Sequence, residues 1–382
     1  MNVAIIGGGA SGVMCALKLK KLNNDISITI FEASNKLLKK VSVSGNGRCN
    51  LGNLYITDEC YQNAFLINEL SSHIGKSLDF FEQMGLLTFT DAEGRIYPLS
   101  KEANSVVEIL NKELFYNRVK VVNNTIINDL QISDNKYLVN GELFDFVVIA
   151  TGSHAGLKLD YNPYSLVNSL GLNLTELKPG LVGFKVKEDL MDIAGVRASV
   201  TVNAFGKTSE GEIIFKEDGI SGICVMDLSI FRNDDRKVLI DLLPDYEVSD
   251  LISYMQKKLS NDPKLKLHNL MLGTVHSKIL NIINRKHHNQ LVSELTDEEV
   301  LAYLKLFKEF KLTIIDTYDV NNAQVICGGV STDEIVNFES TKYPNLFLVG
   351  EVLDQAGICG GYNLWFAFTT GIVVAETINA RC

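Results

Sequence analysis

The chain begins with an apolar run, Val3-Ala4-Ile5-Ile6, and passes directly into Gly7-Gly8-Gly9-Ala10-Ser11-Gly12. Such a run bounded by turn residues predicts a buried strand. The spacing then becomes helical, with Val13, Ala16, Leu17 and Leu19 apolar and Lys18, Lys20 and Lys21 polar. Lysines in the last turn suit the negative end of a helix dipole. A second β-rich run, Ile26 to Phe31, ends in Glu32. Strand, glycine turn, helix and strand make a βαβ unit. Helical spacing returns over 65–86 and 103–115, and short β-rich runs stand at 119–122, 125–130, 136–139 and 142–144. Phe146 to Ala150 is a near-continuous apolar run, expected of a central parallel strand, and it ends in Thr151-Gly152.

The pattern changes after Pro179. Short strands are predicted at 182–186, 198–205, 212–215 and 238–243, then helices such as 248–259 and 298–310, the latter preceded by Asp297 as its cap. Leu346 to Glu351 reads as another buried strand, and Tyr362 to Ile378 as a closing helix. The expected fold class is α/β: a Rossmann-type nucleotide-binding domain formed by residues 1–185 and 325–382. An inserted domain, 186–324, interrupts it, β-rich over 186–245 and helical over 246–311.

With 46% hydrophobic and 21% charged residues among 382, the chain has the make-up of a globular protein. Its net charge of −10 counts against non-specific nucleic-acid binding, and no nucleic-acid partner is expected, although a local basic patch stays open. The seven cysteines form no C-x-x-C pair, which argues against a disulfide framework, a zinc knuckle or a dithiol relay. No metal site is expected. The N-terminus lacks a basic n-region, and no run reaches the roughly 20 apolar residues of a membrane helix, so the expectation is a cytoplasmic protein with no membrane partner. Oligomeric state is not legible.

Gly7-x-Gly9-x-x-Gly12 carries the first chemistry. Gly7 permits a tight turn, Gly9 leaves room for a diphosphate, and Gly12 lets helix and strand approach, with Ala10 and Ser11 supplying N–H groups at the positive helix end. Glu32 stands twenty residues after Gly12, where a carboxylate accepts from ribose hydroxyls. These features predict a dinucleotide and leave NAD and FAD open. Val148 to Gly152 is similar to the strand end of two-dinucleotide-fold flavoproteins, with Thr151 and Gly152 near the cofactor. Gly350-Glu351 resembles the flavoprotein motif whose acid binds the ribityl chain, and Gly360-Gly361-Tyr362-Asn363 opens a helix whose N-terminus would face the flavin. Ser44-Gly45-Asn46-Gly47-Arg48-Cys49-Asn50 is a loop able to aim N–H groups at one anion, with Arg48 available to the diphosphate.

Ser44 to Asn50, together with Gly328-Gly329-Val330, Gly350 to Asp354 and Cys359 to Leu364, resembles the bacterial FAD-dependent oxidoreductases that include the aminoacetone oxidases and the dehydro-bile-acid reductase-like flavoproteins. The resemblance implies non-covalent FAD and an insertion that is part β-barrel, part helical and selects a small-molecule substrate. It implies FAD contacts at the positions above, at Asp354, and at the Ile126 backbone beside adenine. The chain departs from the family pattern after Gly152, at Ser153-His154-Ala155-Gly156, and at Trp365-Phe366. No second G-x-G-x-x-G follows a strand, so NAD(P)H would be a transient donor and not the tenant of a second domain. His154 reads as a structural residue, Cys359 as a small packing residue, and His287-His288 as solvated surface. No catalytic residue is assigned. The expected function is FAD-dependent redox chemistry on a small organic molecule. A reductase, an oxygen-using amine oxidase, and a flavin-binding regulatory or RNA-modifying protein all stay open.

Overall fold

The computed structural model describes residues 1–73, 75–133, 136–285 and 290–382. His287 and His288 lie outside the described residues. The chain divides into two units, Met1–Lys178 with Gln324–Cys382, and Pro179–Ala323.

The first unit is built on a seven-stranded sheet whose five parallel members run in the order Leu346–Leu348, Phe146–Ile149, Asn2–Ile6, Ser27–Phe31 and Lys120–Val122. The two central strands are apolar at nearly every position because helices cover both faces of a parallel sheet. Val3, Ala4, Ile5, Val147, Val148 and Ile149 are fully buried. The helices Ala10–Leu22 and Tyr362–Asn379 pack against each other, and a side chain at Gly371 would stand 2.3 Å from the Ser11 carbonyl oxygen. A three-stranded meander, Gln131–Ser133, Lys136–Val139 and Glu142–Phe144, precedes the second central strand.

Three local expectations are corrected. Residues 125–130 carry no strand; the Thr125 N–H instead donates to the Glu32 carbonyl at 2.9 Å. The predicted helix over 65–86 is two helices, Phe65–Leu70 and Lys76–Gln83, with a tight turn at Ser71–His73. Thr296, not Asp297, caps the helix Asp297–Lys308. Its hydroxyl accepts from the Glu299 N–H at 3.3 Å while the Glu299 carboxylate takes the Thr296 N–H at 2.9 Å, a reciprocal arrangement that leaves Asp297 as the first helical residue.

The second unit contains a closed six-stranded antiparallel barrel in the order Phe184–Val186, Gly219–Ser221, Lys207–Lys216, Arg197–Ala204, Lys237–Asp241 and Phe310–Thr317. Closure removes the exposed strand edges. Phe184, Val200, Val202, Ile213, Phe215 and Ile240 fill its interior. The helices Val248–Asn261 and Asp297–Lys308 enclose a separate small core around Leu251, Leu304 and Phe307. Among the described residues no helix is long and apolar enough to cross a membrane.

Candidate functional site

The glycine turn lies between the first strand and the helix Ala10–Leu22, at the carboxyl edge of the parallel sheet. Open α/β sheets bind ligands beyond this edge. Gly7 has φ +110°, and a Cβ there would stand 2.2 Å from the Ala150 carbonyl oxygen. A Cβ on Gly12 would stand 2.1 Å from the Gly7 carbonyl oxygen, so both positions are closed to side chains by backbone. Gly9 differs: a Cβ there meets nothing within 4 Å, and the space in front of the first helical turn is open. The N–H groups of that turn have no acceptor within the helix.

Glu32 anchors this turn. Its carboxylate accepts from the Gly8 N–H at 2.8 Å and from the Ser34 N–H at 2.8 Å, one bond to each oxygen. Each oxygen keeps acceptor capacity for a hydroxyl. Ile126 is exposed and follows Thr125, whose N–H is bonded to the Glu32 carbonyl, so its backbone lies beside the acid.

Ser44 to Asn50 leaves the helical path of the segment Lys39–Gly47 at Ser44 and turns through left-handed conformations at Gly45, Asn46, Gly47 and Cys49. A left-handed conformation costs a residue such as cysteine about 1–2 kcal/mol, and here the Cys49 N–H bond to the Ser44 carbonyl, at 3.0 Å, helps hold it. The Cys49 thiol is fully buried, and burial pushes its pKa up to about 12. Asn46, Gly47 and Arg48 are exposed.

Hydrogen bonds and close contacts join these segments. Ser11 packs under Gly350, where an added Cβ would lie 2.6 Å from the serine oxygen. Glu351 lies near Gly152, and its carboxylate accepts from Lys40 Nζ at 2.7 Å and from Ser153 Oγ at 2.8 Å. Lys40 Nζ also donates to Ser153 Oγ at 3.0 Å. At the start of the closing helix, Asn53 Nδ2 donates to the Gly360 carbonyl at 2.9 Å. A Cβ on Gly361 would stand 2.6 Å from Asn50 Oδ1. Tyr362 is buried, its ring edge-on to Tyr61 at 5.9 Å and its carbonyl bonded by the Tyr61 hydroxyl at 2.9 Å.

Asn363 and Asp354, both expected at the cofactor, also make hydrogen bonds within the protein. Asn363 pins the preceding loop, accepting from the Gly357 N–H and donating to the Gly357 carbonyl, both at 2.8 Å. Asp354 accepts from Gln62 Nε2 at 2.7 Å and is also held by Thr175; burial raises its pKa against the opposing pull of those bonds. His154 stacks edge-on to Tyr164 at 6.2 Å. Burial and then the Lys40 ammonium lower its pKa, with Glu351 pulling the other way. Lys40, Ser153, Asn53 and Gln62 were missed at the sequence level, because each meets its partner only through the fold.

Two buried polar atoms of this region, Asn50 Oδ1 and Thr151 Oγ1, have no hydrogen-bond partner among the described residues. Buried polar groups are paired in native proteins. Together with the open space at Gly9 they fit an absent polar ligand running along the sheet edge, and FAD has the length and the acceptors and donors for it.

The family profile described as "HI0933-like protein Rossmann domain" matches residues 1–377. The chain belongs to this family. It is 34% identical to the 3-dehydro-bile acid delta(4,6)-reductase of Clostridium scindens, the alignment covering 100% of this chain and 99% of that protein. It is 27% identical to the ribosomal RNA dihydrouridine synthase of Haemophilus influenzae, covering 99% and 98%. Among solved structures, the 3-ketosteroid delta1-dehydrogenase of Sterolibacterium denitrificans aligns over 100% of this chain and 99% of its own with a TM-score of 0.50 and 11% identity, a likeness of fold. The protein is a flavoprotein of the FAD-dependent oxidoreductase class, on the Rossmann fold expected from its sequence.

Proposed function

We propose that this chain is an FAD-dependent reductase that saturates a carbon–carbon double bond conjugated to a carbonyl. The observation that carries this reading is its full-length identity to two relatives whose named reactions share that chemistry. A 3-oxo group activates the delta(4,6) double bonds of a bile acid, and the C4 carbonyl of uridine activates the bond that becomes saturated in dihydrouridine. When bound, FAD carries two electrons from a transient NAD(P)H to such a bond.

The chain's own residues hold and orient the cofactor. The N–H groups of Gly9, Ala10 and Ser11 and the positive end of their helix take the diphosphate. The Glu32 carboxylate takes ribose hydroxyls while keeping the Gly8 turn in place, and the Ile126 backbone borders the adenine. Glu351, fixed by Lys40 and Ser153, faces the ribityl chain, with Thr151 and Gly152 beside it. Asn50 Oδ1, at the end of the Ser44–Asn50 loop, and the helix start at Gly360 to Tyr362 border the flavin end. There the dipole of an 18-residue helix favours negative charge.

Anaerobic spectroscopy of the holoprotein tests this. NADH or NADPH should bleach the flavin, and a conjugated enone should restore the colour without oxygen. Bleaching by an amine with recovery only in air would make the protein an oxidase. No bleaching by any donor would leave the flavin structural and overturn the proposal.

A further inference from the structure

Within the first unit, the segment from Glu351 to Gly360 joins the carboxylate assigned to the ribityl chain to the start of the closing helix. It is firmly braced. The Asp354 carboxylate accepts from Gln62 Nε2 at 2.7 Å, from the Thr175 hydroxyl and from the Gly328 N–H. The Asp354 N–H donates to the Val330 carbonyl at 3.0 Å, and the Gln62 N–H donates to the Ala356 carbonyl at 3.0 Å. Gln355, between these anchors, is 2% exposed, and among the described residues neither its Oε1 nor its Nε2 has a hydrogen-bond partner. The hydroxyl of Tyr164, a residue 1% exposed, has none either. It stands by the same acids: burial, then the charges of Glu351 and Asp354, raise its pKa, so it is a neutral hydroxyl at pH 7.

Leaving a buried amide or hydroxyl unpaired costs about 1–3 kcal/mol for each group. Methionine in place of Gln355 and phenylalanine in place of Tyr164 would fill similar volumes without that cost. An amide and a phenol kept here, on side chains flanking the same carboxylate, call for a partner that the chain itself does not supply. The chemistry of the two groups narrows that partner. A glutamine amide presents a donor and an acceptor side by side. The isoalloxazine ring has one edge of matching pattern, the imide, where N3–H stands between two carbonyls. The ribityl chain carries hydroxyls, which suit a phenol next to Glu351.

We infer that Gln355 and Tyr164 are cofactor-positioning residues: the Gln355 amide accepts from N3–H of the flavin and donates to a neighbouring ring carbonyl, and the Tyr164 hydroxyl bonds the ribityl chain beside Glu351. The inference rests on the FAD placement of the proposed function and extends it from holding the ring to tuning it. A donor at a ring carbonyl meets a neutral oxygen in oxidised flavin and a charge-bearing one in reduced flavin, and charge-assisted hydrogen bonds are roughly twice as strong. Gln355 therefore raises the midpoint potential as well as the affinity.

The test compares the full-length parent with Gln355→Met and Tyr164→Phe by FAD titration of the apoprotein, Tm with and without FAD, and midpoint potential. FAD affinity should fall about tenfold in each variant, while the Tm of the apoprotein stays or rises because an unpaired buried group is gone. The parent should bind FAD more tightly than 3-methyl-FAD, whose N3 cannot donate, and Gln355→Met should narrow that preference about tenfold. The same variant should move the midpoint potential negative by about 30 mV, the equivalent of a tenfold change for two electrons. Tyr164→Phe should leave both the preference and the potential as in the parent. Gln355→Leu takes the place of the Met variant if that misfolds. Unchanged FAD affinity in the variants would overturn the inference. So would equal Tm losses in apoprotein and holoprotein, which would give these atoms to buried water. Donor bleaching and enone recovery of the parent, with variants that bind FAD as the parent does, would sink the inference and spare the reductase; the predicted losses of affinity in a protein whose flavin no donor bleaches would do the reverse.

Discussion

Lys40 Nζ and Glu351 Oε2 stand 2.7 Å apart across 311 residues of sequence, and Ser153 closes the triangle by donating to the other carboxylate oxygen. The pair is partly shielded, with side chains 31% and 20% exposed, so it lies between a surface bridge and a buried one. Glu351→Gln keeps the shape and removes the charge. It should lower stability by about 1–2 kcal/mol, the scale of a hydrogen bond to a charged group, and weaken FAD binding. Thermal unfolding of apoprotein and holoprotein separates the two effects: a Tm loss confined to the holoprotein would assign Glu351 to the cofactor alone.

Glu32→Ala removes the carboxylate that accepts from the Gly8 and Ser34 N–H groups as well as the expected ribose contacts. At roughly 1.5–3 kcal/mol for each charge-assisted bond, FAD affinity should fall by one to several decades. Glu32→Gln, which still has one acceptor oxygen, should lose less. Titration of apoprotein with FAD measures both, and equal affinity in all three proteins would show that the acid serves only the turn.

Thiol reactivity should follow burial. Burial raises the Cys15 pKa strongly, the Cys49 pKa to about 12 and the Cys224 pKa to about 11. In the native protein these three should resist maleimide at neutral pH, while the exposed Cys382 reacts first. Mass spectrometry of partly labelled protein reads the order. Label at Cys49 before Cys382 would contradict the packed loop at Ser44 to Asn50.

His154 should add a pH dependence to stability. Burial, then the Lys40 charge, lower its folded pKa, so on acidification the unfolded chain takes up this proton first. The stability it contributes is present above the unfolded value of about 6.5 and is lost as pH falls from there through the folded value. Urea unfolding from pH 8 to pH 5 should therefore show a steeper decline in the parent than in His154→Gln. Identical profiles would place the ring in a solvent-like environment.

The sequence by itself determined the elements whose causes are local. Val3 to Ile6, Gly7 to Gly12 and Glu32 announce strand, turn and acid because strand burial, close backbone approach and strand-end position depend on a few neighbouring residues. Phe146 to Ile149 was legible for the same reason, as was the closing helix from Tyr362. The strand expected at 125–130 failed because those residues bond the segment after Glu32 instead of forming a ladder.

Tertiary structure alone decided who meets whom at the sheet edge. Asn363, expected at the cofactor from its place at the helix start, also holds Gly357 through its amide, a bond that no local pattern announces. Lys40 carried no signal until Glu351 arrived from the far end of the chain, and Asn53 none until Gly360 did. Spacing records periodicity within one element, whereas a hydrogen bond between elements depends on sheet order and register. Strand 146–149 pairs with 346–348 and with 2–6, and that pairing, written nowhere in the local pattern, brings residues hundreds of positions apart within hydrogen-bonding distance.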